Sequence, residues 1–237
     1  MRARILSTIL VLLVSFACDD DDVYRKTPPV AGDMFNIELC PTLVANAVAL
    51  FPEARNNAER HSQLFGGTAQ QHIVLTRDTD VYVSFVTEAA AIGNVLGYYI
   101  YDNGNVPSSA GQIDKQLVFP NVDATYLKPG DTRKLGKEQL KAGTVIGFFL
   151  IVGGYRNDGV YFQRPTYYTN HEWNKEESKQ HVLYREEECG AVVIGFEDRL
   201  SAEADKDYND IIFMVSDNTS NEENTAFDLQ SVVTLTQ

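Results

Sequence analysis

The chain has 237 residues, of which 33 are acidic and 20 are Lys or Arg, so its formal net charge is −13. Proteins that bind nucleic acids neutralise phosphates with clustered Lys and Arg, so this charge argues against a nucleic-acid partner. Apolar residues make up 44% of the chain and charged residues 22%, a composition that excludes a disordered protein. Roughly 200 residues are enough for one large all-β domain or two small domains.

The N-terminus has the pattern of a bacterial lipoprotein signal peptide. Two arginines precede an apolar run, 5–14, that is too short for a stable transmembrane helix. The run is followed by Ser-Phe-Ala and then Cys18, which resembles a lipobox, although Ser15 stands where Leu is usual. We therefore expect removal of residues 1–17, lipidation of Cys18 and an acidic tether over 18–32. An ordinary signal peptide cut nearby is the alternative.

Four consecutive aspartates, 19–22, follow Cys18 directly. Such a run resembles the surface-export signal of some Gram-negative lipoproteins, and a solvated tether without an export role is the alternative. The sequence thus predicts an outer-membrane lipoprotein that is exposed on the cell surface and bound to the membrane through its lipid.

Two cysteines remain in the mature chain, Cys40 and Cys189. An even number of cysteines in an oxidising compartment favours a disulfide. Two buried free thiols are the alternative, because no motif supports the pairing.

In chain order, the first predicted element is a short helix over 42–50, and the elements that follow are strands. Residues 80–88 alternate between apolar and polar side chains, which predicts a half-buried strand. Residues 144–152 are apolar on both faces, which places them in the centre of a sheet. Further strands are predicted over 72–77, 95–102, 115–119, 180–185, 191–196 and 211–215, with a weak last run that begins at Phe227.

Turn residues recur at a spacing of about ten, which is typical of a β-sandwich. We predict an all-β fold, an antiparallel β-sandwich of jelly-roll-like form, with one domain over 33–216 and a short helical segment near its N-terminus. Residues 217–237 are predicted to form an acidic tail that could add a strand.

The densest group of acidic residues lies between the predicted strands 191–196 and 211–215. Carboxylates so crowded repel one another unless a cation or protons intervene. Calcium takes about six to eight oxygen ligands on flexible backbone, whereas zinc would need His or Cys, and neither occurs there. A bare acidic loop, or carboxylates that cap turn amides, is the alternative. The predicted calcium ligands are Glu197, Asp198, Asp205, Asp207, Asn209 and Asp210.

The spacing of Asp205, Asp207 and Asn209 matches the first positions of an EF-hand loop. However, Asp210 replaces the glycine that such a loop requires, and a strand at Ile211 leaves no room for its remaining ligands. The sequence therefore predicts an Asx-based calcium site that is not an EF-hand.

The same region resembles a known family. The stretch 195–198 (GFED), followed by 205–210 (DKDYND), resembles the signature of domain of unknown function 4114 (DUF4114). Upstream stretches resemble LruC-type bacterial surface lipoproteins, and the whole resemblance covers about 70–216. It implies a secreted or surface β-sandwich that binds calcium and has no established enzyme activity. The upstream stretches are 94–99, 118–121, 127–131 and 143–148.

A second cluster, in the segment 155–173, is rich in aromatic residues. Aromatic faces combined with polar groups suit sugars or peptides, because a ring covers apolar C–H groups while polar groups set orientation. The alternative is that these rings cover a sheet edge or fill the core. The candidate ligand-binding residues are Tyr155, Tyr161, Tyr167, Tyr168 and Trp173.

These features favour a surface-anchored binding or adhesion module for a glycan or protein ligand, and not an enzyme. A glycoside hydrolase-like enzyme is one alternative, since Asp158 and Glu172 lie among aromatic residues and such enzymes need two carboxylates. A structural subunit of a surface assembly is another, since sheet edges can pair with a partner.

Overall fold

The computed structural model describes residues 30–157, 159–200 and 204–237. The predicted signal peptide, Cys18, the four aspartates 19–22 and Asp158 therefore lie outside the described residues. Within the described ranges, no helix is both long enough and apolar enough to span a membrane.

The structure is predominantly β. The helices are α1 (Leu43–Leu50) and α2 (Asn57–Arg60). The strands are β1 (Phe35–Asn36), β2 (Ile73–Val74), β3 (Tyr82–Thr87), β4 (Asn94–Asp102), β5 (Gln116–Val122), β6 (Asp131–Lys134), β7 (Thr144–Ile151), β8 (Tyr155–Arg156), β9 (Gly159–Val160), β10 (Thr166–Tyr168), β11 (His181–Glu186), β12 (Val192–Phe196), β13 (Ile211–Ser216) and β14 (Val233–Leu235).

The strands form two main sheets and a short β8–β9 hairpin. The larger sheet has the order β1-β6-β3-β13-β12-β11-β14, and the smaller has the order β10-β7-β4-β5, with β2 also paired to β7. All of these pairs are antiparallel except β11–β14. The predicted all-β, antiparallel β-sandwich is confirmed, and β7 lies inside its sheet as its apolar sequence indicates.

The main hydrophobic core lies between the two sheets. The larger sheet contributes Phe85, Phe196 and Phe213, and the smaller sheet contributes Phe119 and Phe148. Phe148 and Phe213 meet across the sandwich with ring centroids 4.9 Å apart. Burial of such apolar surface is the dominant favourable contribution to folding, so this core holds the two sheets together.

The outer face of the larger sheet is also buried, which corrects one expectation. Strand β3 was predicted to be half-buried, but Ser84 and Val86, on its other face, are both fully buried. The N-terminal helical segment (residues 40–65) covers this face, with Leu43, Ala47 and Phe51 among the residues packed there. Alternation along a strand cannot reveal a cover supplied by a distant segment, so the sequence underestimated the burial.

A disulfide between Cys40 and Cys189 joins this helical segment to the turn between β11 and β12. The sequence left open a disulfide or two free thiols, and the structure contains the disulfide. Beside it, Asn46 donates from Nδ2 to Glu186 Oε1 and to Glu188 Oε2, each over 3.0 Å. The segment is therefore held to the sheet by covalent, polar and apolar contacts together.

The residues after β13 return to the sandwich instead of leaving it. Ala226 and Phe227 enter the main core, and β14 adds a parallel strand beside β11. Ala31 is also buried in that core. The folded body thus extends beyond 33–216 at both ends, because apolar residues outside these limits bury their side chains between the sheets.

Candidate metal centre

The acidic loop (residues 197–210) connects β12 to β13, and the ladder between these strands brings its two ends together. Phe196 pairs with Ile211, so Glu197 and Asp210 lie at the same end of the ladder. Glu197, Asp198 and Asp210 form the buried carboxylate group, in which each residue offers one oxygen and these oxygens lie within 4.8 Å of one another.

Hydrogen bonds hold one oxygen of each carboxylate in the buried carboxylate group. The backbone N–H of Asp198 donates to Asp210 Oδ2 over 2.6 Å, and that of Arg199 donates to Glu197 Oε1 over 3.0 Å. Asn94 donates from Nδ2 to Asp198 Oδ2 over 2.9 Å. The second oxygen of Glu197, Oε2, is buried and has no hydrogen-bond partner within the described part of the chain. A buried carboxylate oxygen without a partner is costly unless a cation or a proton satisfies it.

The electrostatics of this group indicate the same need. Burial raises the pKa of Glu197 to about 7, with repulsion from Asp205 and Asp207 adding to the shift. Burial, together with repulsion from Asp198, raises the pKa of Asp210 to about 9. Without a cation the group would therefore retain protons near neutral pH, whereas a divalent cation would favour the ionised carboxylates.

A second set of carboxylates lies beside the first. Glu53, Asp205 and Asp207 form the outer carboxylate group, whose offered oxygens also lie within 4.8 Å of one another. Glu53 and Asp205 are exposed, whereas Asp207 is buried. Burial raises the pKa of Asp207 to about 6, and repulsion from Asp205 and Glu53 acts in the same direction.

The stretch 205–209 is hydrogen-bonded to residues that follow α1 in the chain. Ala54 donates its N–H to Asp207 Oδ2 over 2.9 Å, and Asn57 donates its N–H to the carbonyl of Lys206 over 2.9 Å. Lys206 and Tyr208 have φ angles of 62° and 58°, in the left-handed region that non-glycine residues rarely adopt. These hydrogen bonds therefore hold a strained chain path that the local sequence would not favour on its own.

The structure thus divides five of the six predicted ligands between two neighbouring groups. Glu197, Asp198 and Asp210 lie in the buried group, and Asp205 and Asp207 lie in the outer one. Asn209 is 6% exposed, and within the described ranges its Oδ1 has no hydrogen-bond partner. The role of all six residues as metal ligands stays a prediction.

Sequence reasoning missed two residues of the site. Glu53 follows α1 and lies in no motif, and Asn94 begins β4 in the opposite sheet. Asn94 and Asp198 are separated by 104 residues in the chain. No local pattern connects positions so far apart, so only the tertiary fold could bring them to the site.

The donor chemistry of both groups fits calcium. Each group consists of carboxylates alone, and each is presented by loop backbone, as a flexible oxygen-based site requires. Oδ1 of Asn209, which has no hydrogen-bond partner among the described residues, is a further oxygen of the type that calcium prefers. The residues at this place can therefore hold a hard divalent cation.

The aromatic segment 155–173 mainly covers the outer face of the smaller sheet. Tyr168 and Trp173 pack there against Tyr99, with ring centroids 6.2 and 5.4 Å from it. Tyr155 and Phe162 are partly buried against the same cluster. This cover matches the alternative that the sequence left open, because the outer face of β4 and β7 is itself apolar. Ligand binding by the segment stays a prediction.

Two of the other candidates have the following positions. Tyr167 is 5% exposed. Burial raises the pKa of its hydroxyl, and the negative charges of Asp198 and Glu197 add to the shift. Tyr161 is half-buried, and its backbone N–H donates to the carbonyl of Gly154. Neither Tyr167 nor Tyr168, which is 6% exposed, has a free ring face for a ligand.

The fold and the site together define an all-β sandwich domain with a carboxylate centre in the loop between two paired strands. The family model for a domain of unknown function (DUF4114) matches residues 140–218. The matched stretch includes the acidic loop and the aromatic segment but not Glu53, Asn94 or Cys40. No curated protein and no solved structure matches the chain significantly.

Proposed function

We propose that this chain is a surface-anchored, calcium-binding β-sandwich lipoprotein that acts as a binding or adhesion module. Its relation to LruC-type surface lipoproteins, its place at the outer membrane and its glycan or protein ligand are parts of this proposal. The observation that carries the calcium site is the buried oxygen Oε2 of Glu197, which has no hydrogen-bond partner among the described residues and lies beside the carboxylates of Asp198 and Asp210.

Calcium in the buried carboxylate group would neutralise charges that burial otherwise penalises. It would also join the two ends of the acidic loop, since Glu197 and Asp198 follow β12 and Asp210 precedes β13. Because the ion would bind the folded chain and not the unfolded one, its binding free energy would add to the free energy of unfolding.

The proposed anchor is the lipid on Cys18. Between Cys18 and the first described residue, Val30, the chain could extend by at most about 40 Å. That reach would allow the sandwich to stand away from the membrane surface, as a module that binds an external ligand requires.

Calcium titration of the EDTA-treated mature protein in a calorimeter tests the metal site. We expect binding in the wild type, and in Asp210→Asn a loss of affinity of at least about tenfold, because the loss of a group that only supports a ligand already costs about 10–100-fold. Asp114→Asn is the control, because Asp114 is exposed and lies before β5, outside both carboxylate groups. Absence of heat and of any thermal stabilisation with millimolar calcium would refute the site.

Membrane attachment and ligand binding need separate experiments. Metabolic labelling with palmitate, and digestion of intact cells with protease, would test lipidation and exposure, with Cys18→Ala expected to lose both label and membrane retention. Glycan-array and cell-binding assays, run with calcium and with EDTA, would test the module. Binding that is absent in both conditions would count against adhesion.

A further inference from the structure

We infer that Glu53, Asp205 and Asp207 hold a second divalent cation, which fastens the N-terminal helical segment to the acidic loop. This inference rests on the proposed calcium chemistry of the neighbouring buried group. It adds a ligand, Glu53, that comes from another part of the chain, and it gives the second ion a structural role.

The three carboxylates come from two separate parts of the chain. Asp205 and Asp207 belong to the acidic loop, whereas Glu53 belongs to the loop after α1, yet their oxygens lie within 4.8 Å of one another. Glu53 and Asp205 are exposed and could move apart to reduce their repulsion. A cation between them would turn this repulsion into a bond between two segments of the chain.

Asn209 has a side-chain oxygen that needs a partner, and only 6% of this residue is exposed. Its backbone N–H donates to Asp207 Oδ1 over 3.3 Å, and its Nδ2 donates to the carbonyl of Phe51 over 3.1 Å. Its Oδ1 is left without a partner among the described residues, where the two segments meet. A buried amide oxygen without a partner is costly, and it is a good neutral ligand for calcium.

The two groups of carboxylates concentrate negative charge in one place. Together they contain six carboxylates, and Arg199 Nε lies 3.9 Å from Asp198 Oδ1. When all six are ionised their charge is −6, which one divalent cation reduces to −4 and two reduce to −2.

The second ion would stabilise contacts that already cross this junction. Ala54 and Asn57 donate their backbone N–H groups to the 206–207 stretch of the acidic loop. The helical segment to which they belong covers the outer face of the larger sheet. Loss of the ion would therefore loosen residues 52–57 before the sandwich itself.

Native mass spectrometry of the full mature protein, loaded with calcium alone, counts the ions directly. We expect two calcium ions in the wild type and one in Glu53→Gln. Glu59→Gln is the matched control, because Glu59 lies in the same segment, outside both carboxylate groups, and a glutamine there keeps the oxygen that accepts from Asn56 Nδ2. It should bind two ions.

Other ion counts separate this inference from the proposed function. One ion in both the wild type and Glu53→Gln would overturn the second site and leave the first. Two ions in Glu53→Gln would show that Glu53 is not a ligand and would also overturn it. No ion in any variant would refute both.

Hydrogen exchange at the amides of Ala54 and Asn57 tests the fastening itself. At a calcium concentration 100 times the dissociation constant, we expect roughly 100-fold slower exchange in the wild type but not in Glu53→Gln. Trypsin should likewise cut after the exposed Arg55 faster in EDTA than in calcium. Equal exchange and equal cleavage in both conditions would overturn the inference.

Discussion

Asn94 joins the two sheets at the acidic loop. Its Nδ2 donates to Asp198 Oδ2 over 2.9 Å, while its Oδ1 accepts the backbone N–H of Gly153 over 2.9 Å. Asn94 is fully buried at the start of β4 in the smaller sheet, whereas Asp198 follows β12 of the larger one. A single amide therefore positions a candidate metal ligand from the opposite side of the sandwich.

We expect Asn94→Ala to lower the free energy of unfolding by about 1–3 kcal/mol, because the buried N–H of Gly153 would lose its acceptor. Calcium affinity should fall as well, since Asp198 would no longer be held in place. Urea unfolding and calcium calorimetry measure the two effects. Asn103→Ala, at an exposed position, is the control, and equal values for both variants would contradict the prediction.

The stability of the EDTA-treated protein should fall as pH rises from 6.5 to 8. Burial raises the pKa of Glu197 to about 7 and that of Asp210 to about 9, so in this range the folded state holds more protons than the unfolded state. When the folded state binds more protons, the free energy of unfolding decreases with pH. Thermal unfolding at several pH values measures this, and saturating calcium should flatten the dependence.

The limits of that pH range follow from other buried groups. Burial lowers the pKa of His72 to about 4 and that of His181 well below 6.5, so below pH 6.5 these groups make stability rise with pH. Burial also lowers the pKa of Lys179 to about 8, which acts in the same direction at higher pH. A melting temperature that rises between pH 6.5 and 8 in EDTA would contradict the assignment to the carboxylates.

Removal of the disulfide should destabilise the protein strongly. Cys40 and Cys189 are 149 residues apart, so the bond restricts the unfolded chain over a long loop. We expect the free energy of unfolding of the double variant Cys40→Ala/Cys189→Ala to be lower by about 2–5 kcal/mol, as measured by urea unfolding. A reductant should lower the melting temperature of the wild type but not of the double variant. Equal sensitivity of both proteins to the reductant would contradict this.

Gly195→Ala should displace the acidic loop. A Cβ at Gly195 would lie 2.3 Å from the backbone carbonyl oxygen of Tyr208, so this part of the acidic loop would have to move. We expect the free energy of unfolding to fall by about 1–3 kcal/mol, which is typical of an overpacked site, and calcium binding to weaken. Gly67→Ala is the control, because its Cβ would meet nothing within 4 Å. Urea unfolding and calorimetry should separate the two variants, and similar behaviour would refute the prediction.

Periodicity in the sequence predicted the longer strands well. The alternation of 80–88 and the apolar run 144–152 correspond to β3 and β7. The strands that it missed, β1, β6, β8, β9 and β10, have two to four residues. A strand that short has too few positions to show an alternation, and its pairing is decided by its neighbours.

The site shows the same division. The sequence by itself determined the acidic loop, because its carboxylates are concentrated in one stretch between two apolar strands, where their charge and spacing are visible. Only the tertiary structure decided that these residues separate into two groups, that Glu53 and Asn94 join them, and that the aromatic segment covers a sheet. The physical reason is that burial and long-range hydrogen bonding depend on which distant segments meet, and local composition does not record that.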